Sequence, residues 1–459
     1  MRKIFLTALC GLLLTGRMEA VAQHTQKCAT HTLLEQKMAQ HPEYRTTFLH
    51  QLNHKSAQDA QFRQRTGAQP QYKTTAALIT IPVVFHVILP QFRITQLGGT
   101  VGIYERMLNL VDAVNKDFMG KNADSNLIPA AFKPMFGKAD MRFAPARRTP
   151  TNQCTDGYQI INNSTANSFS VNSNGGSDPK TPSAGGVAAW DPEKYLNIWV
   201  VDISEPGILG YTIPPSFLSF GFTQNELGIV LDYGNFGKRV SASQFFSPSV
   251  NDLGRTLTHE LGHFFELDHT FGGGAGCPSS GDWDDGIGDT PAQDDATYTN
   301  ATSCPVFPLT DNCTTSGNGI MWMNFMDYVD DRCMYMFTTG QVNMMRSQFQ
   351  NVDGISYKLS QHPEVLIPCA TDVADVPAGE QFSIFPNPSN GDFTLAIADG
   401  QKLQQIEVLN MMGQRVLQIE AGNSAIANYH IDLTGFSKGI YTVQCTFASG
   451  TISKKIVLQ

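Results

Sequence analysis

Thr256-Leu-Thr-His259-Glu260-Leu-Gly-His263-Phe-Phe-Glu266-Leu-Asp-His269 is the stretch from which the rest of the chain can be read. His259 and His263 are four residues apart, so on a helix they stack on one face. Neutral imidazoles at that spacing suit a zinc ion, and Glu260 lies where it can take a proton from a zinc-bound water. His269 follows far enough behind for the chain to leave the helix and return a third ligand. Three histidine ligands keep a fourth position for water, whose pKa the metal lowers toward neutrality. A purely structural site would fill all four positions with protein. The set therefore points to hydrolysis of peptide bonds by a zinc-activated water, with protein or peptide substrates.

Outward from this stretch, Ser249 or Asn251 is expected to cap the helix, with Leu253, Leu257, Leu261 and Phe264 or Phe265 on its buried face. Downstream lies a Gly- and Asp-rich region without periodicity, reaching to about Gly319. It holds Cys277, Cys304 and Cys313, with Cys333 just beyond. Four cysteines in such a segment point to two disulfides, and sequence alone allows three connectivities. Asp282, Asp284, Asp285 and Asp289 cluster there. Carboxylate oxygens at that density suit calcium, with a solvated acidic turn as the rival reading. Upstream, Ile79 to Leu89 is almost wholly apolar and β-branched, as a strand buried on both faces should be. His86 within it reads as a core or supporting histidine rather than a ligand. Residues 104–119 carry a helical period, residues 149–188 read as long loops, and Tyr195–Ile203 and Leu227–Tyr233 as strands. Strands alternating with helices imply an α/β (α+β) domain with a mixed, twisted sheet.

With 459 residues, two or three domains are expected. The net charge of −9 argues against a nucleic-acid partner. No apolar run of transmembrane length follows the N-terminus. Residues 1–22 read as a signal peptide, with Met1-Arg-Lys, an apolar run from Ile4 to Leu14 and small residues at Ala20-Val-Ala22. The protein is thus expected to pass through the periplasm into an oxidising compartment. Residues 23–73 are Gln-, His- and basic-rich, with a weak helical pattern at Leu33, Leu34 and Met38. They end in a basic stretch that a protease could cut, and read as a removable propeptide. Residues 359–378 read as a linker. From residue 379, short alternating strands separated by turn signals such as Asn390-Gly391 predict an all-β sandwich. Cys445 shares a face with Tyr441, Val443 and Phe447 and reads as a buried thiol.

His259-Glu-Leu-Gly-His263-Phe-Phe-Glu-Leu-Asp-His269 resembles the long zinc motif of metzincin metalloproteases. Asn324-Phe-Met326-Asp-Tyr328 resembles their methionine turn as the pappalysin (cytophagalysin) family writes it, and Asp330 to Gln341 continues in the same style. Leu209-Gly-Tyr211 with Pro214, and Asp285-Gly-Ile-Gly-Asp289-Thr290-Pro291, are also similar to that family. The resemblance covers roughly residues 75–355. It implies a zinc metallopeptidase domain over 74–358, with Met326 as the apolar base under the metal and Tyr328 placed to hydrogen-bond the oxyanion. It implies calcium at Asp285, Asp289 and Thr290, and pairs Cys277 with Cys313 and Cys304 with Cys333. Cys154 and Cys369 are left unassigned. Asp331 matches a position lining the pocket for the residue after the scissile bond, which would favour Arg or Lys. Cys28 matches a latency switch, a thiolate that blocks the metal in a precursor. Glu266 departs from the family, which usually has Gly there; a left-handed backbone at that position costs a non-Gly residue about 1 kcal/mol.

The C-terminal module, 379–459, resembles the sorting domain of the type IX secretion system. Phe385-Pro-Asn-Pro388, Gly391 and the stretch from Asp432 to Val443 carry the likeness. It implies export by that machinery to the outside or the cell surface. Two other readings compete with a secreted, latent zinc endopeptidase. A non-catalytic adhesin on a metzincin scaffold would have no need of Glu260. A zinc hydrolase of another fold would leave His269 and the turn at Met326 without a role.

Overall fold

β1 (Ile79–Leu89) sets up the larger part of the molecule, because it is long enough to serve three partners. In this computed structural model, residues 26–66, 78–163, 167–272, 276–277, 285–299, 303–367, 382–397, 403–421, 428–447 and 450–459 are described. The signal peptide, Asp282, Asp284 and Cys369 lie outside them, as do residues 368–378 of the linker and the basic stretch from residue 67 on. The chain divides into two compact units, residues 1–369 and 370–459.

In the first unit, α1 (Thr30–Gln40) and α2 (Tyr44–Thr66) precede β1. After β1 come α3 (Gln91–Gln96), α4 (Gly99–Phe118), β2 (Met141–Pro145), β3 (Tyr158–Asn162), β4 (Leu196–Val201), β5 (Gly210–Ile213) and β6 (Gly228–Asp232). The helix carrying the opening motif is α5 (Arg255–Phe264), followed by α6 (Thr339–Ser347) and α7 (Ile355–Leu359). The sheet order is β2-β1-β4-β6-β5, with β3 also paired to β1. The first half of β1 pairs with β2 (Ile79 to Met141) and its second half with β3 (Phe85 to Tyr158), while β4 lies on its other side. All these pairs are parallel; β5 alone runs antiparallel, at the edge against β6. The near-continuous apolar runs of β1, β4 and β6 follow from burial on both faces.

α4 supplies a buried stripe of Ile103, Met107, Leu110, Val114 and Phe118 at helical spacing. Leu257, Leu261 and Phe264 of α5 join the same core, as expected. So do Ala29, Leu33, Leu34, Met38 and Phe48 of the N-terminal segment.

Two expectations are corrected, and one strand is added. Residues 149–188 are not all loop, since β3 lies within them. β5 was not foreseen as a strand; only four residues long, it carries too little pattern to read. And α5 starts at Arg255 without a side-chain cap from Ser249 or Asn251. Its preceding residue, Gly254, has φ of 86°, and the carboxylate of Asp331 accepts from Leu253 N at 2.7 Å and Arg255 N at 3.2 Å. A carboxylate brought from far along the chain does the capping.

The second unit contains β7 (Phe382–Phe385), β8 (Asp392–Ile397), β9 (Leu403–Leu409), β10 (Arg415–Glu420), β11 (Asn428–Asp432), β12 (Gly439–Phe447) and β13 (Gly450–Leu458). They form two antiparallel sheets, β10-β9-β12-β13 and β11-β8-β7, around one core. Cys445 is buried there beside Tyr441, Val443 and Phe447. No helix among the described residues is long and apolar enough to cross a membrane.

Candidate active site

α5 packs against the edge strand β5 and ends where the chain must double back. Glu266 has φ of 73°. Its N–H donates to His263 O, and Leu267 N–H donates to Gly262 O, both at 2.9 Å. This is a Schellman ending with glutamate in the left-handed position normally given to glycine. The carboxylate of Glu266 is buried and accepts from Ser216 N at 2.9 Å, a contact glycine could not make. The strain inferred from the sequence is present, and the turn still delivers His269.

The turn also orients the histidines. His263 Nδ1 lies 2.8 Å from Leu267 O, and His259 Nδ1 lies 2.7 Å from Phe325 O. Hydrogen-bonding to carbonyls fixes the proton on Nδ1 and leaves each Nε2 with a lone pair. The three Nε2 atoms then converge: His259 to His263 3.2 Å, His263 to His269 3.0 Å, and His259 to His269 3.2 Å. A tetrahedral zinc with nitrogen ligands at roughly 2.0–2.1 Å needs nitrogens about 3.3 Å apart. Three converging lone pairs repel one another without a cation, so the residues fit zinc. Burial lowers the pKa of all three, His259 to about 4, favouring the neutral ligand form.

Met326 is fully buried against α5. A Cβ on Gly262 would come within 2.4 Å of its sulfur, so glycine is needed where the helix crosses the turn. That turn is tight: Asp327 N donates to Asn324 O at 3.1 Å, and Met326 N to Asn324 Oδ1 at 2.9 Å. Asn324 and Gln341 exchange amide hydrogen bonds, and Gln341 completes the capping box of α6.

Glu260 is buried beside β5. Thr212 Oγ1 donates to its Oε2 at 2.7 Å, and burial raises its pKa to about 7. Tyr328, also buried, donates its hydroxyl to Cys28 O at 3.2 Å and accepts from Cys28 N at 3.3 Å. The Cys28 thiol sulfur groups with the three histidines, close enough to share a metal with them. It is held there by strand-like pairing: Leu209 N donates to Lys27 O at 2.7 Å and Ala29 N to Gly210 O at 3.1 Å.

Asp331 lines a cavity together with Lys27, Asn251, His259, Glu260 and Met334. Its carboxylate faces the start of α5, and burial pushes its pKa up to about 6. The carboxylate that Lys27 reaches is the neighbouring Asp330, at 3.2 Å. Asp330, Thr212 and Lys27 were not singled out as site residues from sequence; only the pairing of residues 27–29 with β5 brings them to the centre.

In the downstream loop, Cys277–Cys313 and Cys304–Cys333 are disulfides. Cys154 is disulfide-bonded as well. Asp285 accepts from Ile287 N and from Thr290 Oγ1, each at 2.9 Å. Asp289 accepts from Thr338 Oγ1 at 2.6 Å and Gly340 N at 2.8 Å, tying the loop to the start of α6. His86 is no ligand; both its ring nitrogens are hydrogen-bonded in the sheet, to Asn197 and Gln159.

The family model for pregnancy-associated plasma protein-A matches residues 186–350, and that for the secretion system C-terminal sorting domain matches 383–459. Mature mirolysin of Tannerella forsythia, solved with a cleaved peptide, is 36% identical with a TM-score of 0.56. The match covers 64% of this chain and 100% of that one. A promirolysin variant from the same organism is 32% identical with a TM-score of 0.60, over 75% of this chain and 100% of that one. An extracellular metalloprotease of Verticillium alfalfae is 37% identical over 163 residues, 35% of this chain and 51% of the relative. One from Pyricularia oryzae is 35% identical over 34% of this chain and 48% of the relative. The chain thus spans about half the length of the curated relatives it matches.

Proposed function

Because the chain belongs to the pregnancy-associated plasma protein-A family of metallopeptidases, and carries a secretion sorting domain at residues 383–459, we propose that it is a secreted zinc endopeptidase made as a latent precursor. The convergence of three Nε2 atoms within 3.2 Å of one another, beside a buried Glu260, carries this reading. His259, His263 and His269 would hold the zinc. When bound, zinc lowers the pKa of a water it holds and polarises a carbonyl.

Glu260 takes the proton of the attacking water and delivers it to the leaving amine, with Thr212 fixing one carboxylate oxygen. Tyr328 donates its hydroxyl to the carbonyl oxygen as negative charge grows there; its bond to Cys28 O is the same interaction made to a peptide carbonyl of the chain itself. Residues 23–73 keep the enzyme latent, with Cys28 as the blocking ligand, and removal of that segment opens the cleft. Asp331, which lines a cavity with Lys27, favours Arg or Lys after the scissile bond; that Lys27 reaches the neighbouring carboxylate, Asp330, supports a basic side chain on this side of the cleft. Export uses the type IX machinery through residues 383–459. Calcium bound near Asp285, Asp289 and Thr290 is a further proposal, which a calcium-dependent rise in melting temperature would support.

Metal analysis and casein cleavage test the core of this reading. One zinc per chain is expected, and Glu260→Ala should lose activity by about 10²–10⁴-fold while keeping the metal. A fully active Glu260→Ala, or a chain that binds no zinc, overturns it.

A further inference from the structure

Residues 27–31 cross the metal centre from one side to the other. Lys27 reaches Asp330 beside the Asp331 cavity. The Cys28 sulfur lies at the histidines. His31 then lies on the far side, its ring 4.7 Å from that of His269 and 5.9 Å from that of His263. There its Nε2 is 3.2 Å from Asp268 Oδ1. The other oxygen of Asp268 receives Lys55 Nζ of α2 at 2.9 Å. Both side chains of that ion pair are 18% exposed, so the contact is largely shielded from water. Glu266 adds to the negative field around the Lys55 ammonium. The cleft therefore has a carboxylate on each side of the metal, and the N-terminal segment delivers a basic side chain to each.

We propose that Asp268 forms a second subsite, specific for a Lys or Arg side chain, on the opposite side of the scissile bond from Asp330 and Asp331. The inference rests on the endopeptidase reading above. In the precursor His31 and Lys55 fill the subsite. Among the described residues, the hydrogen-bonded partners of the Asp268 carboxylate come from residues 31–55 and not from the catalytic part of the chain. Once that segment is gone, Asp268 is a carboxylate without a cation, fixed to the backbone one residue before His269. A peptide lying in the cleft can restore the lost pair with its own ammonium or guanidinium group. The position is rigid because the neighbouring residue is a metal ligand, and rigidity favours selection over simple attraction.

The test uses active enzyme recovered from the full-length chain. Peptide pairs identical except for Lys or Gln at each of the three positions before the scissile bond are compared by kcat/KM. At one of these positions the wild type should prefer Lys by about tenfold. Asp268→Asn should bring that ratio close to one, Asp268→Glu should retain most of it, and the preference after the scissile bond should persist in both. Zinc content is measured in each protein, and the wild-type ratio is repeated at high salt, where it should shrink. A wild type indifferent to Lys at all three positions overturns the proposal without recourse to any variant. An Asp268→Asn enzyme that binds zinc and keeps the full preference overturns it too. A wild type that cleaves no peptide contradicts the endopeptidase reading instead.

Discussion

Among the described residues, two places bury imidazole deeply, and they are put to different use. His86, in the middle of β1, and His259, on α5, are both pushed to a pKa of about 4 by burial. His86 gives both ring nitrogens to protein: Nε2 to Asn197 Oδ1 at 2.9 Å and Nδ1 to Gln159 Nε2 at 2.6 Å. His259 gives only Nδ1 to a backbone carbonyl, and its Nε2 faces two others like it. Burial and lowered basicity are therefore common to a core histidine and one at the candidate metal site. What separates them is the nitrogen left unspent.

Substituting the two kinds of histidine tests this directly. His263→Ala should abolish zinc binding and reduce activity by several orders of magnitude, because two imidazoles hold zinc far less well than three. His86→Gln should leave zinc content unchanged and show its effect in stability. Equal zinc loss in both variants would remove the distinction.

Cys28→Ala takes away the sulfur that the N-terminal segment places beside the three histidines. The uncleaved chain should then gain at least tenfold in peptide hydrolysis over its Cys28 form, measured before any processing. No gain would assign latency to the pairing of residues 27–29 with β5 and to the Asp268 contacts.

His86 also gives the sheet a pH dependence of known sign. Its folded-state value of about 4 lies below its ordinary 6.5. As pH falls the unfolded chain binds the proton first. The stability from keeping His86 neutral is thus complete above about pH 6.5 and is lost as pH falls toward 4. The loss amounts to about 3 kcal/mol at most. Urea unfolding at pH 7 and pH 4.5 should differ less in His86→Gln than in the wild type.

The smallest expected effect lies at Glu266. Glu266→Gly relieves the left-handed strain but gives up the bond to Ser216 N, whereas Glu266→Ala gives up that bond and keeps the strain. The glycine variant should be the more stable of the two by about 1 kcal/mol in thermal unfolding. Equal stability would mean that the Schellman turn carries no strain.

Much of this arrangement could be read in the chain itself. The spacing of His259, Glu260 and His263 needs only a helix to become a site, and the apolar runs of β1, β4 and β6 need only a sheet. The strained backbone of Glu266 followed from the need to reach His269. What could not be read depends on residues far apart in sequence. Asp331 caps α5 from 76 positions away, so no local cap signal existed. β5 is short and at the edge, where one partner strand leaves little imprint on composition. β3 hides among Asn, Ser and Thr residues because it is only half-buried, with Asn162 exposed. Asp268 and Asp330 read as ordinary acidic neighbours until residues 27–55 are laid across them.

The pairing of Lys27–Ala29 with β5 has a consequence for the chain before it ever meets a substrate. β5 is the last strand of its sheet, and an open edge presents unpaired N–H and C=O groups that recruit any extended chain, including a second copy of itself. Leu209 N and Gly210 O are already taken by Lys27 O and Ala29 N. While they are, the sheet is closed on that side, and molecules crowded together during export have one less edge through which to aggregate.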